Sequence, residues 1–404
     1  MKLTNLSGVR WIGVLITVSM AGMINHPAAA QNQAPSTAPA LKMPPGYIVG
    51  ADMSWVQSRE DAGRKYSENG TEKDPLLILK EHGFNYIRLR VFNDPTMATW
   101  NPAQGGGRRG GRRGGAAPAS APAEAVAIPT TGPAAIHALR RGPGQAAYSV
   151  QGYCDLPHTI AYAKRVKAAG MKLLIDFHYS DSWADPGKQF TPTAWFNLSF
   201  PELVKVTHDW TKDAIQQMKD AGCMPDMVQV GNEITPGMMN DRPDGGGSTR
   251  NWEQLGALLK AGLSAVKEVD PKIQTMLHVD RGGDNPAAAR WLGNALAQGL
   301  EFDVYGLSCY SRWHGPPEGW KANFEDLAKR YPKMKFVMAE VDAQAVVSNE
   351  IMLGLPNGQG VGTFIWEPTA NNANQALFDN SGAVIPERMA AYDEVMKKYG
   401  AARP

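Results

Sequence analysis

Eight short apolar runs, most of them separated by segments of helix length, constrain the fold more than any other feature of this 404-residue chain. Strands that alternate with helices form parallel sheets, and eight similar strands favour a closed barrel over an open sheet. We therefore predict one α/β domain, a single (β/α)8 barrel, over residues 46–400. The predicted strands are 48–52, 84–92, 171–178, 227–230, 273–279, 302–309, 336–339 and 361–366. The predicted helices are 75–82, 156–169, 201–221, 252–269, 287–298 and 324–331.

The first 30 residues have the pattern of a secretory signal peptide. Lys2 and Arg10 precede an apolar run at 11–24, and a small-residue cleavage site ends at Ala30. A membrane anchor is the alternative, but the run is shorter than the ~20 residues that a membrane-spanning helix needs. We expect a secreted or periplasmic protein without a membrane span after signal cleavage. A flexible leader rich in Pro, Ala, Ser and Gln is expected at 31–45.

Residues 101–147 interrupt the strand-and-helix pattern with Arg, Gly, Ala and Pro and show no periodicity. Such a composition buries too little apolar surface to offset its ordering entropy, so we expect a disordered loop inserted in the barrel. The segment carries six arginines and one glutamate, and the rest of the chain is acidic although the whole chain has a formal net charge of +2. Arg-Gly tracts can bind nucleic acid or an anionic cell surface. We favour an inert insertion and expect no nucleic-acid partner.

Neither the cysteines nor the histidines form a metal-binding pattern. Cys154, Cys223 and Cys309 allow at most one disulfide, match no zinc spacing and are expected to be buried free thiols. A metal-dependent hydrolase barrel would be indicated by two histidines two apart on one strand or by a His-Glu-x-x-His helix. The sequence contains neither. We expect no cofactor.

Polar and aromatic residues occupy the carboxyl ends of the predicted strands, while the strands behind them are apolar. In a (β/α)8 barrel these ends form one mouth, where the active site lies. Glu233 follows Gly231-Asn232 at one strand end, and Glu340 follows 336–339 at another. Two carboxyl groups that converge on one bond indicate the acid and the nucleophile of glycoside hydrolysis. The other predicted strand ends carry Asp52, Arg90, His178, Asp280, Tyr310 and Trp366.

This ring of side chains suits a sugar ligand. Sugar faces stack on aromatic rings, and sugar hydroxyls form hydrogen bonds with Arg, His and Asn side chains. The aromatic candidates are Trp183, Trp313 and Trp366, and core packing is the alternative for each of them.

Five sequence blocks resemble the signature blocks of glycoside hydrolase family 53, the endo-β-1,4-galactanases. The blocks are 176–189, 231–238, 278–284, 306–315 and 366–368. The resemblance extends from about residue 50 to residue 392 apart from the Arg-Gly insertion. It implies a (β/α)8 enzyme that cleaves β-1,4-galactan, the side chain of type I arabinogalactan, with retention of configuration. It also implies that Glu233 is the acid/base and Glu340 the nucleophile.

The positions of the residues around the two glutamates suggest supporting roles for them. Arg88 or Arg90, which share one strand face, would keep Glu340 ionised, and the charge of Glu340 would keep Glu233 protonated. Asn232 would form a hydrogen bond with the sugar 2-hydroxyl. Tyr310 would orient Glu340, and Trp366 would form the floor of the reacting subsite. The full set of predicted sugar-binding residues is Arg90, Asp176, His178, Asp181, Trp183, Asn232, His278, Asp280, Tyr310, Trp313 and Trp366.

The sequence departs from the family pattern in places. Cys154 and the tripeptide 309–311 replace the residues that relatives commonly have, and only 25 residues separate Glu340 from Trp366. Some bacterial members have a longer loop there that helps to bind calcium. Calcium binding is therefore the alternative to an enzyme without a cofactor, but the short segment between Glu340 and Trp366 argues against it.

Two other interpretations stay open. One is a different retaining β-glycanase of the same barrel superfamily, because substrate choice resides in loops rather than in the barrel. The other is a non-catalytic glycan-binding protein, in which the loss of one glutamate would be expected. For the enzyme we expect a monomer whose partner is the galactan polysaccharide.

Overall fold

The computed structural model describes residues 41–97, 153–369 and 374–400. The predicted signal peptide, most of the leader and the Arg-Gly insertion lie outside these ranges. Within them, eight strands each precede a helix. The strands are β1 (Ile48–Asp52), β2 (Tyr86–Val91), β3 (Lys172–Phe177), β4 (Met227–Val230), β5 (Gln274–Val279), β6 (Val304–Cys309), β7 (Lys335–Val341) and β8 (Gly360–Ile365). The helices are α1 (Pro75–Glu81), α2 (Leu156–Ala168), α3 (Phe200–Asp220), α4 (Trp252–Val269), α5 (Asn285–Ala297), α6 (Pro317–Arg330), α7 (Ala345–Leu353) and α8 (Pro386–Tyr399).

The strands form a closed barrel in which neighbours follow one another in chain order. All of the barrel pairs are parallel, and the pairing of β1 with β8, which includes Ile48 opposite Gly362, closes the ring. The predicted (β/α)8 fold is confirmed. All carboxyl ends of the strands consequently lie at one mouth.

Alternate strand residues contribute to two apolar cores. One core fills the barrel interior, and the other lies between the strands and the surrounding helices. The interior core consists of Ile48, Tyr86, Leu174, Met227, Met276, Val304, Val337, Ala339 and Phe364. This core fills the barrel below the mouth. The polar side chains nearer the carboxyl ends of the strands therefore lie directly above packed apolar side chains.

Side-chain caps explain where several helices begin. Asp74, Asp155 and Asp284 each accept a hydrogen bond from a backbone N–H in the first turn of α1, α2 and α5. The predicted helix 324–331 is too short, because α6 begins at Pro317, where a proline at the first turn is compatible with helix geometry. Helices α7 and α8 were not predicted from the sequence.

The state of the cysteines and the length of the helices can also be read from the structure. Cys154, Cys223 and Cys309 are buried free thiols, as predicted. Among the helices of the described ranges, none combines the length and the apolar character that crossing a bilayer requires.

Candidate active site

A cavity of about 670 Å³ opens at the carboxyl ends of the strands. A volume of this size is typical of sites that bind small organic ligands. Ten of the predicted site residues line the cavity: Arg90, His178, Trp183, Asn232, Glu233, Asp280, Tyr310, Trp313, Glu340 and Trp366.

Glu233 lies just beyond β4, where the backbone leaves the strand in a left-handed conformation. The φ angle is 85° at Gly231 and 46° at Glu233. A Cβ at Gly231 would lie 2.7 Å from a methyl carbon of Ile234, so glycine is required for the sharp turn. The turn directs the Glu233 carboxyl group into the cavity, where only 8% of the residue is exposed. Ser308 Oγ lies 2.6 Å from Glu233 Oε1.

Glu340 reaches the same cavity because β7 contains a bulge. Leu307 lies opposite Met338 but Ser308 lies opposite Glu340, so β7 has one extra residue at this point. A bulge redirects the side chain that follows it, and here it turns Glu340 towards the barrel interior. Both carboxylate oxygens are then held: Oε1 accepts from Arg88 Nη1 at 2.9 Å, and Oε2 accepts from the hydroxyl of Tyr310 at 2.7 Å.

The two glutamates differ in how their surroundings treat a negative charge. Burial raises the pKa of Glu233 well above its ordinary value, and the nearby charges of Glu340 and Asp280 raise it further. Burial also raises the pKa of Glu340, but Arg88 and the Tyr310 hydroxyl oppose this effect. Glu340 therefore ionises first, and Glu233 keeps its proton to higher pH. Between the two pKa values the site holds one carboxylate and one carboxylic acid.

Arg88 connects the barrel strands beneath the cavity. Its guanidinium is buried and uses every N–H donor: Nη1 binds Glu340 and Asp52, at 2.9 and 3.0 Å, and Nη2 binds Asp176 and Asn232, both at 2.8 Å. The remaining donor, Nε, binds Gln229 Oε1 at 3.2 Å. The sequence left open whether Arg88 or Arg90 pairs with Glu340, and the structure places Arg88 in this role.

Arg90 instead lies inside a cluster of three tryptophans. Its guanidinium carbon is 4.5 Å from the ring centroid of Trp183, 5.4 Å from that of Trp55 and 5.7 Å from that of Trp366. Cation–π attraction of this kind fixes aromatic rings in place. Arg90 Nη2 also binds Asp52 at 3.1 Å and contacts Oε1 of Glu367, a carboxyl group whose pKa burial raises to about 8.

Three of the predicted sugar-binding residues do not line the cavity, so their side chains are not placed to contact a sugar there. Asp176 is fully buried and pairs with Arg88 and with His178 Nε2 at 3.0 Å. Asp181 accepts hydrogen bonds from the backbone N–H groups of Thr193 and Asp94. Burial raises the pKa of Asp181 to about 6.

The third residue is His278, which lies behind Asn232 and Ser308. In all three cases the polar side chain satisfies a neighbouring buried group instead of facing the cleft.

Several cavity residues were not predicted from the sequence. They are Ala184, Asp185, Pro186, Arg281, Arg312, His314, Asp342, Asn374 and Gln375. Asp342 had a usable signal, because a residue two positions after Glu340 shares its strand face. Asp342 Oδ2 accepts from Ser311 N at 3.1 Å and from Ser311 Oγ at 2.9 Å. Ser308 gave no signal, since it is a small residue within the predicted strand 302–309.

The rim of the cavity carries an exposed aromatic ring. Trp313, in the short helix Ser311–His314, is 70% exposed. The guanidinium carbon of Arg312 lies 4.7 Å from the centroid of its ring. No group of three or more His, Cys, Asp or Glu side chains in the described ranges is arranged to hold a metal ion.

The sequence model of a family described as Glycosyl hydrolase family 53 matches residues 48–112 and 142–349. Two of the relatives are bacterial proteins. The chain is 33% identical over 359 residues to an uncharacterized protein of Niallia circulans, a match that covers 80% of this chain and 83% of that protein. It is 29% identical over 401 residues to an endo-beta-1,4-galactanase of Bacillus subtilis strain 168, which covers 88% of this chain and 80% of the galactanase.

Two solved structures are also similar to this chain. A family 53 catalytic domain from Ignisphaera aggregans has a TM-score of 0.67 and 31% sequence identity, and the match covers 88% of this chain and 99% of that one. A structure from a study of two fungal beta-1,4-galactanases has a TM-score of 0.64 at 26% identity, with 85% and 98% covered. Since the family model matches more than half of the chain, this protein is a glycosidase and belongs to glycosyl hydrolase family 53.

Proposed function

We propose that this glycosidase is a retaining endo-β-1,4-galactanase that acts on linear galactan and on the galactan chains of type I arabinogalactan. The observation that carries the proposal is the arrangement of Glu233 and Glu340 in one cavity, one surrounded by groups that favour the acid and the other by groups that favour the carboxylate. The relatives named as endo-β-1,4-galactanases support the substrate class.

In the first step the Glu340 carboxylate attacks the anomeric carbon of the sugar. The bond from that carbon to the glycosidic oxygen breaks, and Glu233 transfers its proton to the leaving oxygen. Arg88 and Tyr310 fix both oxygens of Glu340, so the nucleophile is oriented before substrate binds. The products are a glycosyl ester of Glu340 and a shortened chain with a free hydroxyl group.

In the second step Glu233 acts as a base. Esterification removes the negative charge of Glu340, and the pKa of Glu233 falls because the like charge beside it has gone. Glu233 takes a proton from water as the oxygen of that water attacks the anomeric carbon, and Glu340 leaves as a carboxylate. Two inversions at the same carbon give net retention.

The aromatic and amide groups provide places for the sugar. Trp366 and Trp183 lie beside the catalytic pair and would form the floor of the reacting subsite, whereas Trp313 at the rim would stack on a sugar further along the chain. Asn232 would bond the 2-hydroxyl. The Nδ2 of Asn232 is 2.8 Å from the carbonyl oxygen of Ala184, a contact that fixes its orientation.

The direct test is hydrolysis of four polysaccharides by the purified protein: linear β-1,4-galactan, β-mannan, xylan and cellulose. We expect β-1,4-linked galacto-oligosaccharides of several lengths to appear early from galactan alone, as read by mass and linkage analysis. Cleavage of a different polymer in place of galactan would favour another β-glycanase and contradict the proposed substrate.

Matched variants separate a catalytic protein from a binding protein. Glu233→Ala and Glu340→Ala should each lower kcat on galactan by at least about 10²–10⁴-fold, the range that a positioned acid or base supplies. Circular dichroism should show an intact fold in both variants. Full activity in either variant would contradict the assignment of that glutamate.

A further inference from the structure

A chain of buried hydrogen bonds lies behind Glu233, outside the lining of the cavity. Glu233 Oε1 is 2.6 Å from Ser308 Oγ, and Ser308 Oγ is 2.9 Å from His278 Nε2. On its other side, His278 Nδ1 is 2.9 Å from Asn232 Oδ1. Ser308 and His278 are fully buried, so these contacts depend on which atoms carry the protons.

The proton on His278 is fixed by Asn232. Asn232 Nδ2 donates to the carbonyl oxygen of Ala184 at 2.8 Å, and Asn232 Oδ1 accepts from Arg88 Nη2 at 2.8 Å. The amide therefore presents its oxygen to His278, and at 2.9 Å this is the shortest contact of Nδ1, which also lies 3.2 Å from Gln229 Nε2 and 3.4 Å from the backbone N of Glu233. The hydrogens of Gln229 Nε2 are used by the Gly231 carbonyl oxygen and Asn232 Oδ1. An unprotonated Nδ1 would set two acceptors against each other at 2.9 Å, so we place the hydrogen of the neutral ring on Nδ1. Burial, together with the positive charge of Arg88, lowers the pKa of His278 well below its ordinary value. The imidazole is consequently neutral, and Nε2 has a free lone pair.

Ser308 has one proton and two neighbours that compete for it. When Nε2 of His278 accepts that proton, the Ser308 oxygen can accept a hydrogen bond from protonated Glu233. All contacts are satisfied in this state. If Glu233 loses its proton to solvent, its carboxylate requires the Ser308 proton, and Nε2 is left buried without a donor, which is unfavourable.

We propose that Ser308 and His278 form a hydrogen-bond relay that keeps Glu233 protonated in the resting enzyme. Both are positioning residues, because neither lines the cavity. The inference rests on the proposed acid/base role of Glu233. When the leaving oxygen takes the proton from Glu233, Ser308 rotates and donates to the new carboxylate, and the hydrogen bond to Nε2 breaks. The hydrogen bond that Glu233 donated to Ser308 is lost with that proton, and no covalent bond of Ser308 or His278 breaks.

Other charged and titratable groups also act on the two ends of the relay. Those that act on Glu233 are Glu340, Asp280 and Asp185. Those that act on His278 are Arg88, Asp176, His178 and His314. These groups change the pKa of Glu233 whether or not Ser308 is present, so a double-substitution experiment separates their effect from that of the relay.

His278→Asn is the informative substitution. Asparagine places an amide near the position of Nδ1 and has no atom at the position of Nε2, so Ser308 becomes free to donate to the Glu233 carboxylate. The alkaline limb of kcat/KM on linear β-1,4-galactan should then move to lower pH by about one unit, the shift expected from one buried hydrogen bond. In a Ser308→Ala background the same substitution should leave the limb where it is. An equal shift in both backgrounds, or no shift in either, would overturn the relay.

Neutron diffraction from crystals of the unsubstituted protein tests the relay without any variant. At a pH near 6 the relay requires deuterium on Nδ1 of His278, none on Nε2, and the Ser308 deuterium directed at Nε2. Deuterium on Nε2 would overturn the proposal even if the variants fail to fold. This result does not depend on substrate, so failure of the relay and failure of the galactanase assignment are distinguishable.

Discussion

Glu233 and Glu340 are the same amino acid in one cavity, but burial, neighbouring charges and hydrogen-bond partners favour different protonation states for them. Glu340 accepts from a guanidinium and a phenol, both of which favour a carboxylate. Glu233 is buried beside the charge of Glu340, and both effects raise its pKa and favour the acid, whereas the Ser308 hydroxyl lowers that pKa when it donates to the carboxylate. The direction of the proton transfer therefore follows from the neighbours and not from the glutamates themselves.

Tyr310→Phe tests this explanation with little change in shape. The hydroxyl hydrogen bond stabilises the Glu340 carboxylate and lowers its pKa, so removal of the hydroxyl should raise that pKa by about one unit. The acidic limb of kcat/KM should move to higher pH, while the alkaline limb should stay in place. The measurement is the pH dependence of galactan hydrolysis. An unchanged acidic limb in a folded variant would show that Tyr310 does not stabilise the ionised nucleophile.

The sequence was most informative about residues that interrupt an apolar run. Glu233 and Trp366 could be identified because each follows a strand, and ten predicted residues do line the cavity. The sequence could not show which way a polar side chain points. Asp176 and His278 lie within matching blocks, yet they serve as buried partners of Arg88 and Asn232. That distinction depends on contacts between strands, which one strand alone does not reveal.

At the scale of the elements, the site depends on local departures from regular strands. The bulge in β7 turns Glu340 inward, and the left-handed turn after β4 does the same for Glu233. Simple alternation along β7 would place Glu340 on the face opposite Ala339, which belongs to the barrel interior. The sequence therefore indicated the strand but not the bulge. Helix α7 was not predicted from the sequence because its apolar residues do not recur with a clear helical period.

The seam between β1 and β8 gives a test at this scale. Gly362 has a φ of 142°, and a Cβ there would lie 2.1 Å from the carbonyl oxygen of Ile48. Gly362→Ala should lower the free energy of unfolding by about 2–5 kcal/mol, because strained backbone and a clash with the neighbouring strand add together. Urea denaturation followed by circular dichroism measures this change.

Gly319→Ala is the matched control for that substitution. Gly319 lies in α6 with no atom within 4 Å of an added Cβ. Its replacement should be neutral or stabilise the protein by up to about 1 kcal/mol, because alanine favours helix. Equal stability changes at the two positions would contradict the role of Gly362 in barrel closure.

At the scale of the whole molecule, the barrel brings together residues that are distant in sequence. The catalytic pair comes from β4 and β7, Arg88 from β2 and the tryptophan cluster from the ends of β1, β3 and β8. The family model matches 48–112 and 142–349, and the residues 113–141 that it skips lie inside the interruption predicted at 101–147. Its nature and role stay a prediction.

Deletion of 113–141, the residues that the family model skips, tests whether the segment is inert. Because insertions in surface loops change the free energy of folding little, kcat/KM on galactan and the melting temperature should stay near those of the full chain, within about twofold for kcat/KM. A variant in which the same residues are replaced by a Gly-Ser linker of equal length controls for loop length. A loss of activity in both variants would assign the segment a part in the site.

In the proposed mechanism Glu340 forms a covalent bond to the sugar, while Glu233 first donates and then accepts the proton. An activated 2-deoxy-2-fluoro-β-galactobioside, which slows the second step more than the first, should accumulate the covalent intermediate on the full-length enzyme. Peptide mass spectrometry after proteolysis should locate the added sugar on the peptide that contains Glu340, and Glu340→Ala should abolish the adduct. Attachment at another residue, or turnover of the reagent without any covalent species, would contradict the retaining mechanism proposed for this chain.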